Sequence, residues 1–273
     1  MNIRLIALDL DGTLLNEEKL VSPRNASALS KAAQRGIKVV ISSGRIYPEA
    51  LGVVAGLKDI AAVSACNGGH IVELPRGEVL KAEAMAPASF RDLLAILEDF
   101  GIFYSVYGSD RIFLRKGIAQ EHANISRYLE GMSCPKTEAE DLAAALGLAG
   151  QSPYKVYTQD PDLARLAELR KLLSGRKDLE LTSSSPSNIE ITAGGVDKGG
   201  ALIALGRHWG IAPAQMMALG DGENDLAMFA VSGCPVAMGN ASPAVKAAAL
   251  RVTLSNREDG VAEAVEALLA GRV

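Results

Sequence analysis

Apolar and polar positions along this chain switch between two periods, and the switches mark out its elements. Residues 3–8 (IRLIAL) form an apolar run of buried-strand type that stops at the polar stretch Asp9-Leu10-Asp11-Gly12. Ser22 followed by Pro23 predicts an N-cap and a first helical position, with Gly36 as the stop. Residues 37–42 (IKVVIS) predict a second strand ending at Ser43-Gly44-Arg45. A short helix, a third strand near 61–66 and a hairpin through Asn67-Gly68-Gly69 follow. After about residue 82 the pattern changes. Residues 88–100 predict a helix stopped by Gly101, and 102–107 with 111–115 predict an antiparallel hairpin around Gly108-Ser109-Asp110. Helical patterns near 118–130 and 137–146 come next, then a strand at 154–158, a helix at 161–174 and strands near 179–183 and 188–192. From Asp197 strict alternation resumes: helix, strand 215–219, helix, strand 234–237, helix, strand 250–254 and a final helix at 258–270.

Strands alternating with helices predict an α/β fold, a doubly wound and mostly parallel sheet with helices on both faces. The middle of the chain breaks that alternation and predicts an inserted α+β unit at 83–186, with 1–82 and 187–273 forming the core around it. No internal repeat and no low-complexity linker interrupts this plan.

Composition narrows the function. Of the 273 residues 48% are apolar, enough for a sizeable core, and 22% are charged, as in ordinary globular chains. The 28 basic and 32 acidic residues give a net charge of −4 with no basic tract, and aromatics are only 4%, so a nucleic-acid partner has little support. No apolar stretch approaches the roughly 18 residues that span a bilayer, and the amino terminus lacks the pattern of a signal peptide. Cys66, Cys134 and Cys234 are widely spaced without a CxxC, the usage expected of reduced thiols in a cytoplasmic protein. No GxGxxG follows the first strand, which disfavours a nicotinamide enzyme.

In an open parallel sheet, ligands bind where strands end at their carboxyl edge. Asp9 and Asp11 close the first strand, Ser43 closes the second, and Asp221 and Asp225 follow the strand at 215–219. Four aspartates so placed predict a hard-oxygen cluster suited to Mg²⁺, and without His or Cys partners zinc is disfavoured. A carboxylate beside Mg²⁺ can attack a phosphoryl group to give an aspartyl-phosphate, and a second carboxylate two residues on could protonate the leaving oxygen and then activate water. Lys198, Ser43 and the amide of Gly44 are candidates to hold the other phosphoryl oxygens.

DLDGTLL at 9–15, SSGR at 42–45, DKGGAL at 197–202 and GDGENDLAMF at 220–229 resemble the four signatures of the haloacid dehalogenase-like superfamily. The chain as a whole is similar to its Cof-type (class IIB) hydrolases, with a large C2B-type cap between the second and third signatures. The resemblance implies that Asp9 is the nucleophile and Asp11 the general acid/base. It implies Mg²⁺ held by Asp9, the Asp11 backbone carbonyl and Asp221, with Asp225 orienting that shell through waters. Ser43 and Lys198 would bind phosphoryl oxygens, and Asn224 would sit at the phosphate or substrate edge. The second signature reads Ser-Gly-Arg where many relatives have Thr-Gly-Arg, which keeps the hydroxyl. The turn Asn67-Gly68-Gly69-His70 carries Gly where Ala is common.

The expected function is thus a Mg²⁺-dependent phosphomonoester hydrolase for a small phosphorylated metabolite, a sugar phosphate foremost. The hairpin at 107–111 and the 182–188 segment would contribute to its specificity. A phosphomutase of the phosphomannomutase type and a noncatalytic sugar-phosphate binder are the alternatives; a receiver domain is disfavoured by the insertion. No membrane partner is expected, and a homodimer is left open. Arg45 reads as structural or rim, and His70, His122 and His208 read as surface or packing residues, because the mechanism needs no histidine. Cys66 and Cys234 read as buried small hydrophobes.

Overall fold

The computed structural model describes residues 2–118 and 131–272. The chain opens with β1 (Leu5–Leu8), α1 (Pro23–Gln34), β2 (Lys38–Ser42), α2 (Tyr47–Val53), β3 (Ile60–Ala65), β4 (His70–Glu73) and β5 (Glu78–Ala82). A second group follows: α3 (Pro87–Phe100), β6 (Phe103–Tyr107), β7 (Ile112–Arg115), β8 (Lys136–Ala139), α4 (Leu142–Leu148), β9 (Lys155–Gln159), α5 (Leu163–Leu173), β10 (Leu179–Thr182) and β11 (Asn188–Ala193). The chain closes with α6 (Lys198–Trp209), β12 (Met216–Gly220), α7 (Leu226–Val231), β13 (Cys234–Ala237), α8 (Pro243–Ala247), β14 (Arg251–Val252) and α9 (Gly260–Leu269).

The first and last groups share an eight-stranded sheet in the order β14-β13-β12-β1-β2-β3-β4-β5, parallel from β14 to β3 and finished by an antiparallel hairpin. Strand side chains alternate between its faces. Ile6, Leu8, Val39, Ile41, Met217 and Leu219 pack against Leu29 of α1 and Val261 and Val265 of α9. Leu5, Ala7, Val40, Met216 and Ala218 pack against Leu202 and Leu205 of α6 and Phe229 of α7. This is the expected doubly wound core. The middle group builds a six-stranded sheet in the order β10-β11-β9-β6-β7-β8, antiparallel except between β7 and β8. One face of it, with Val106, Phe113, Val156, Ile189 and Ile191, is covered by Leu93 and Leu97 of α3 and Leu169 and Leu173 of α5. The other face turns Tyr107 and Tyr157 toward Ile46 and Cys66 of the core.

Helix ends follow local chemistry. Ser22 Oγ accepts from the Asn25 amide with Pro23 at the first position of α1, and Asp197 accepts from the Gly200 amide to start α6. Two expectations need correction. Residues 137–146 are not one helix, because Lys136–Ala139 pairs with β7 and the Asp141 side chain caps a later helix at Leu142–Leu148. Sheet pairing here overrides the helical pattern at Lys136–Ala139, while the Ala- and Leu-rich stretch after it stays helical. The inserted unit also does not end at 186, since β11 pairs with β9 and β10 and carries it through Ala193. β5 was not anticipated, and the pattern near 118–130, with His122, lies outside the described residues. Among the described residues, no helix is long and apolar enough to cross a membrane.

The turn from β3 to β4 positions the site. Cys66, Asn67 and Gly68 have φ of 50°, 54° and 100°, so three successive residues take left-handed backbone. A Cβ on Gly68 would stand 2.3 Å from the Asp197 carbonyl oxygen, so this turn sits directly on the start of α6. Gly68→Ala is expected to cost about 2 kcal/mol or more by urea unfolding, from left-handed strain and this clash together. A loss no larger than that of an exposed surface substitution would contradict the close contact.

Candidate active site

β12 and β2 flank β1 in register, with Leu219 and Ile41 beside Leu8, so the loops after all three strands open at one edge. Asp9 leaves β1 with its amide donating to the Leu219 carbonyl at 3.1 Å. Lys198, the first residue of α6, reaches that edge from below. Its Nζ lies 2.6 Å from Asp9 Oδ1 and 2.7 Å from Asp225 Oδ1, with the lysine side chain wholly buried. The other Asp225 oxygen accepts from the amides of Asp221 at 2.9 Å and Gly222 at 3.0 Å. Asp225 therefore shapes the Asp221 loop by direct bonds, where the sequence reading has it acting through waters.

Glycines allow the approach. A Cβ on Gly12, whose φ is 84°, would fall 2.2 Å from Asp221 Oδ2, and one on Gly220 would fall 2.4 Å from the Asp225 Cβ. Thr13 Oγ1 donates to Asp221 Oδ1 at 2.9 Å, and Asn240 Nδ2 donates to the Gly12 carbonyl at 2.8 Å, tying the first and fourth signature loops together.

One oxygen from each of Asp9, Asp221 and Asp225 lies within 4.8 Å of the others. Burial pushes the Asp9 carboxyl well above its ordinary range; Lys198 works against this and the nearby Asp225 and Asp221 add to it. Burial and then the Asp225 charge raise Asp221 to about 6. Burial alone would lower the Lys198 ammonium, but Asp225 and Asp9 outweigh it and hold it charged. One lysine thus compensates three crowded carboxylates only in part. Hard, anionic oxygens with residual negative charge fit a small divalent cation such as Mg²⁺, and Asp9 and Asp221 are its ligand candidates, both Asp225 oxygens being committed.

Asp11 faces elsewhere. Arg45 donates to both its oxygens at 2.8 Å, and Lys19 donates to Oδ1 at 2.7 Å. Burial would raise this carboxyl, yet Arg45 and then Lys19 hold it well below the usual carboxylate range. The Ser43 hydroxyl is buried and accepts from the Arg45 amide at 3.2 Å. Asn224 is buried, and its amide donates to the Ser183 carbonyl of the inserted unit at 3.2 Å.

Asp9, Asp11, Ser43, Gly44, Asp221 and Asn224 line one cavity of about 460 Å³ between core and inserted unit. Lys198 and Asp225 lie beneath it. From the inserted unit come Tyr107 and the Ser184–Asn188 neighbourhood, as expected of the hairpin and the 182–188 segment, together with Lys155, Tyr157 and Glu190. A neighbouring cavity of about 500 Å³ beside α5 shares Asp221 but not Asp9, so the Asp9 carboxylate faces the first. Sequence reasoning missed Arg45 as a partner of Asp11, and missed Lys19, Lys155 and Glu190 altogether. Strand parity could have found the last two, because Lys155 and Glu190 each neighbour a residue on the helix-covered face. His70 packs between Tyr47 and Tyr154, and the three cysteines are buried thiols, so these residues take packing roles.

A family model described as haloacid dehalogenase-like hydrolase matches residues 6–265. The chain is 32% identical to the 5-amino-6-(5-phospho-D-ribitylamino)uracil phosphatase YcsE of Bacillus subtilis, over 97% of this chain and 95% of that protein. A solved haloacid dehalogenase-like hydrolase from B. subtilis superposes with a TM-score of 0.88 at 28% identity, covering 97% of this chain and 100% of the other. A sugar phosphatase of subclass IIB shares the fold with a TM-score of 0.82 at 23% identity, covering 97% and 98%.

The carboxylate crowding has a measurable consequence. With its pKa raised to about 6, Asp221 binds a proton more tightly folded than unfolded. Its ionisation therefore costs the metal-free fold stability as pH rises toward 6, and the full cost stands above that. A divalent cation relieves it and competes with the proton. Added Mg²⁺ is expected to raise Tm more at about pH 7.5 than at about pH 5, in paired thermal melts. Equal increments, or a larger one at the lower pH, would contradict the assignment.

Proposed function

From the premise that the chain belongs to the haloacid dehalogenase-like hydrolases, we propose that it is a Mg²⁺-dependent phosphatase acting on a small metabolite, a sugar or polyol phosphate foremost, through an aspartyl-phosphate on Asp9. The observation that carries this reading is the buried Lys198 ammonium bound to Asp9 and Asp225, with Asp221 beside them at the mouth of the sheet. Mg²⁺, when bound by Asp9 and Asp221, supplies charge neutralisation for a phosphoryl group.

Lys198 fixes one oxygen of Asp9 and so orients the carboxylate for attack on phosphorus. The bond from phosphorus to the ester oxygen breaks as the bond to Asp9 forms, and the leaving oxygen takes a proton from Asp11. Water then attacks the aspartyl-phosphate with Asp11 as the base, releasing phosphate and restoring Asp9. Asp11 is ionised while Arg45 and Lys19 hold it. An incoming phosphate dianion competes for both cations, and their withdrawal lets Asp11 take up the proton it later delivers. Ser43 offers a hydroxyl to the phosphoryl oxygens, and the Gly44 amide is the second donor of that loop.

Support for a hydroxylated leaving group comes from the cavity wall. Glu49 lines it and is buried, and among the described residues its Oε2 has no hydrogen-bond partner, leaving an acceptor suited to a substrate hydroxyl. The relative YcsE is named for a ribityl phosphate, which carries such hydroxyls.

Phosphate release from a panel of sugar, polyol and other phosphomonoesters, with Mg²⁺ or with EDTA, tests the reading. Asp9→Asn is nearly isosteric and is expected to keep the fold while losing on the order of a thousandfold or more in turnover. EDTA is expected to abolish release by the wild type. An Asp9→Asn protein that turned over at the wild-type rate would remove Asp9 as the nucleophile.

A further inference from the structure

Two charged side chains of the inserted unit are buried where it meets the core. Lys155 starts β9 and Glu190 lies in β11, and Lys155 Nζ stands 3.0 Å from Glu190 Oε2 with the side chains 2% and 4% exposed. Removing both charges from water costs more than an apolar pair of similar size would, so such a pair is poorly explained by stability alone. Its further contacts point to the phosphate loop. Lys155 Nζ donates to the Gly44 carbonyl at 2.5 Å and lies 4.2 Å from the centre of the Tyr107 ring. Glu190 Oε2 also accepts from Asn67 Nδ2 of the core turn at 2.6 Å, and Oε1 accepts from the Ser184 hydroxyl at 2.6 Å.

We propose that Lys155 is a positioning residue for the phosphoryl site: from the inserted unit it grips the Gly44 carbonyl and thereby orients the Ser43 hydroxyl and the Arg45 arm. This rests on the phosphatase reading of that site. The peptide between Gly44 and Arg45 is planar, so its carbonyl and its amide point in opposite directions. With the carbonyl tied to Lys155, the Arg45 amide is turned onto Ser43 Oγ at 3.2 Å. That bond occupies a lone pair of the hydroxyl and leaves its hydrogen to be donated, which is what a phosphoryl oxygen requires. The same peptide anchors the Arg45 backbone, whose guanidinium then meets both oxygens of Asp11.

Glu190 makes the grip one of geometry rather than of charge. Burial would raise its carboxyl, but Lys155, Ser184 and Asn67 outweigh that and keep it ionised, so the pair is neutral as a whole. Gly44 permits the contact: a Cβ there would stand 2.8 Å from Glu190 Oε2 and 3.2 Å from Lys155 Nζ. Core amides of Asn67 and Cys66 already hold the Ser43 and Arg45 carbonyls, and the docked inserted unit fixes the Gly44 carbonyl between them.

Lys155→Met alone strands the Glu190 charge and can cost the fold, so the double variant Lys155→Met/Glu190→Gln is measured beside it. Inorganic phosphate binding by calorimetry in the presence of Mg²⁺ reads the loop without turnover. It is expected to weaken roughly tenfold in the double variant, a size ordinary for a lost charge-assisted hydrogen bond. kcat/KM is expected to fall by a similar factor on a hexose phosphate and on p-nitrophenyl phosphate, with the Mg²⁺ requirement unchanged. Unaltered phosphate binding with only a lowered Tm would make the pair structural and overturn the inference. A loss on one substrate but not the other would overturn it in favour of leaving-group recognition. A wild type that releases no phosphate from any ester, yet whose phosphate binding weakens in the double variant, would sink the phosphatase reading and uphold this one.

Discussion

Asp9, Asp221 and Asp225 hold oxygens within 4.8 Å of one another, and the buried Lys198 ammonium is what allows them to stay there. In a poorly hydrated spot, three neighbouring carboxylates repel strongly enough that at least one would carry a proton. Lys198 touches Asp9 and Asp225 at once, and Asp225 passes the constraint on through the amides of Asp221 and Gly222. One interaction therefore orients the Asp9 carboxylate and shapes the loop of its neighbour. It also leaves the cluster short of positive charge, which is the condition for taking up a divalent cation.

The fold delivers this contact from sequence-distant pieces. β1 sits inside the sheet between β12 and β2, so the loops carrying Asp9, Asp221 and Ser43 emerge side by side. Lys198 arrives because the Asp197 side chain caps α6 at that place and because the turn at Gly68 seats directly on Asp197. The glycines at 12 and 220 are required by approach distance, since any side chain there would occupy the positions of Asp221 and Asp225. The backbone is thus built around the carboxylates more than the carboxylates are placed on a finished backbone.

How much of this could be read beforehand follows the range of each interaction. The core strands were legible because a parallel strand buried on both faces is a continuous apolar run, as at Leu5–Leu8 and at 39–41 within β2. Asp9, Asp11, Ser43, Lys198, Asp221 and Asn224 were legible because their signatures are local. The stretch from Lys136 to Ala139 misled because its local pattern is helical while its partner, β7, is a strand earlier in the chain. Arg45 looked like a rim residue, since nothing within its own segment reveals that Asp11 waits across the sheet edge. For Lys155 and Glu190 strand parity gives the face each occupies, but their pairing joins residues 35 positions apart and is not local.

The two buried lysines of the site show why pairing differs across it. Lys198 faces two aspartates, so its charge is overmatched and the surroundings remain negative, ready for a cation. Lys155 faces one glutamate, and its charge is matched. An unmatched lysine beside Gly44 would attract an anion to itself. A matched pair can approach the loop closely without competing for an anion there. Balance of charge thus separates the lysine among the aspartates from the lysine beside Gly44. The core supplies the crowded carboxylates, and the inserted unit supplies the neutral pair that meets the loop beside them.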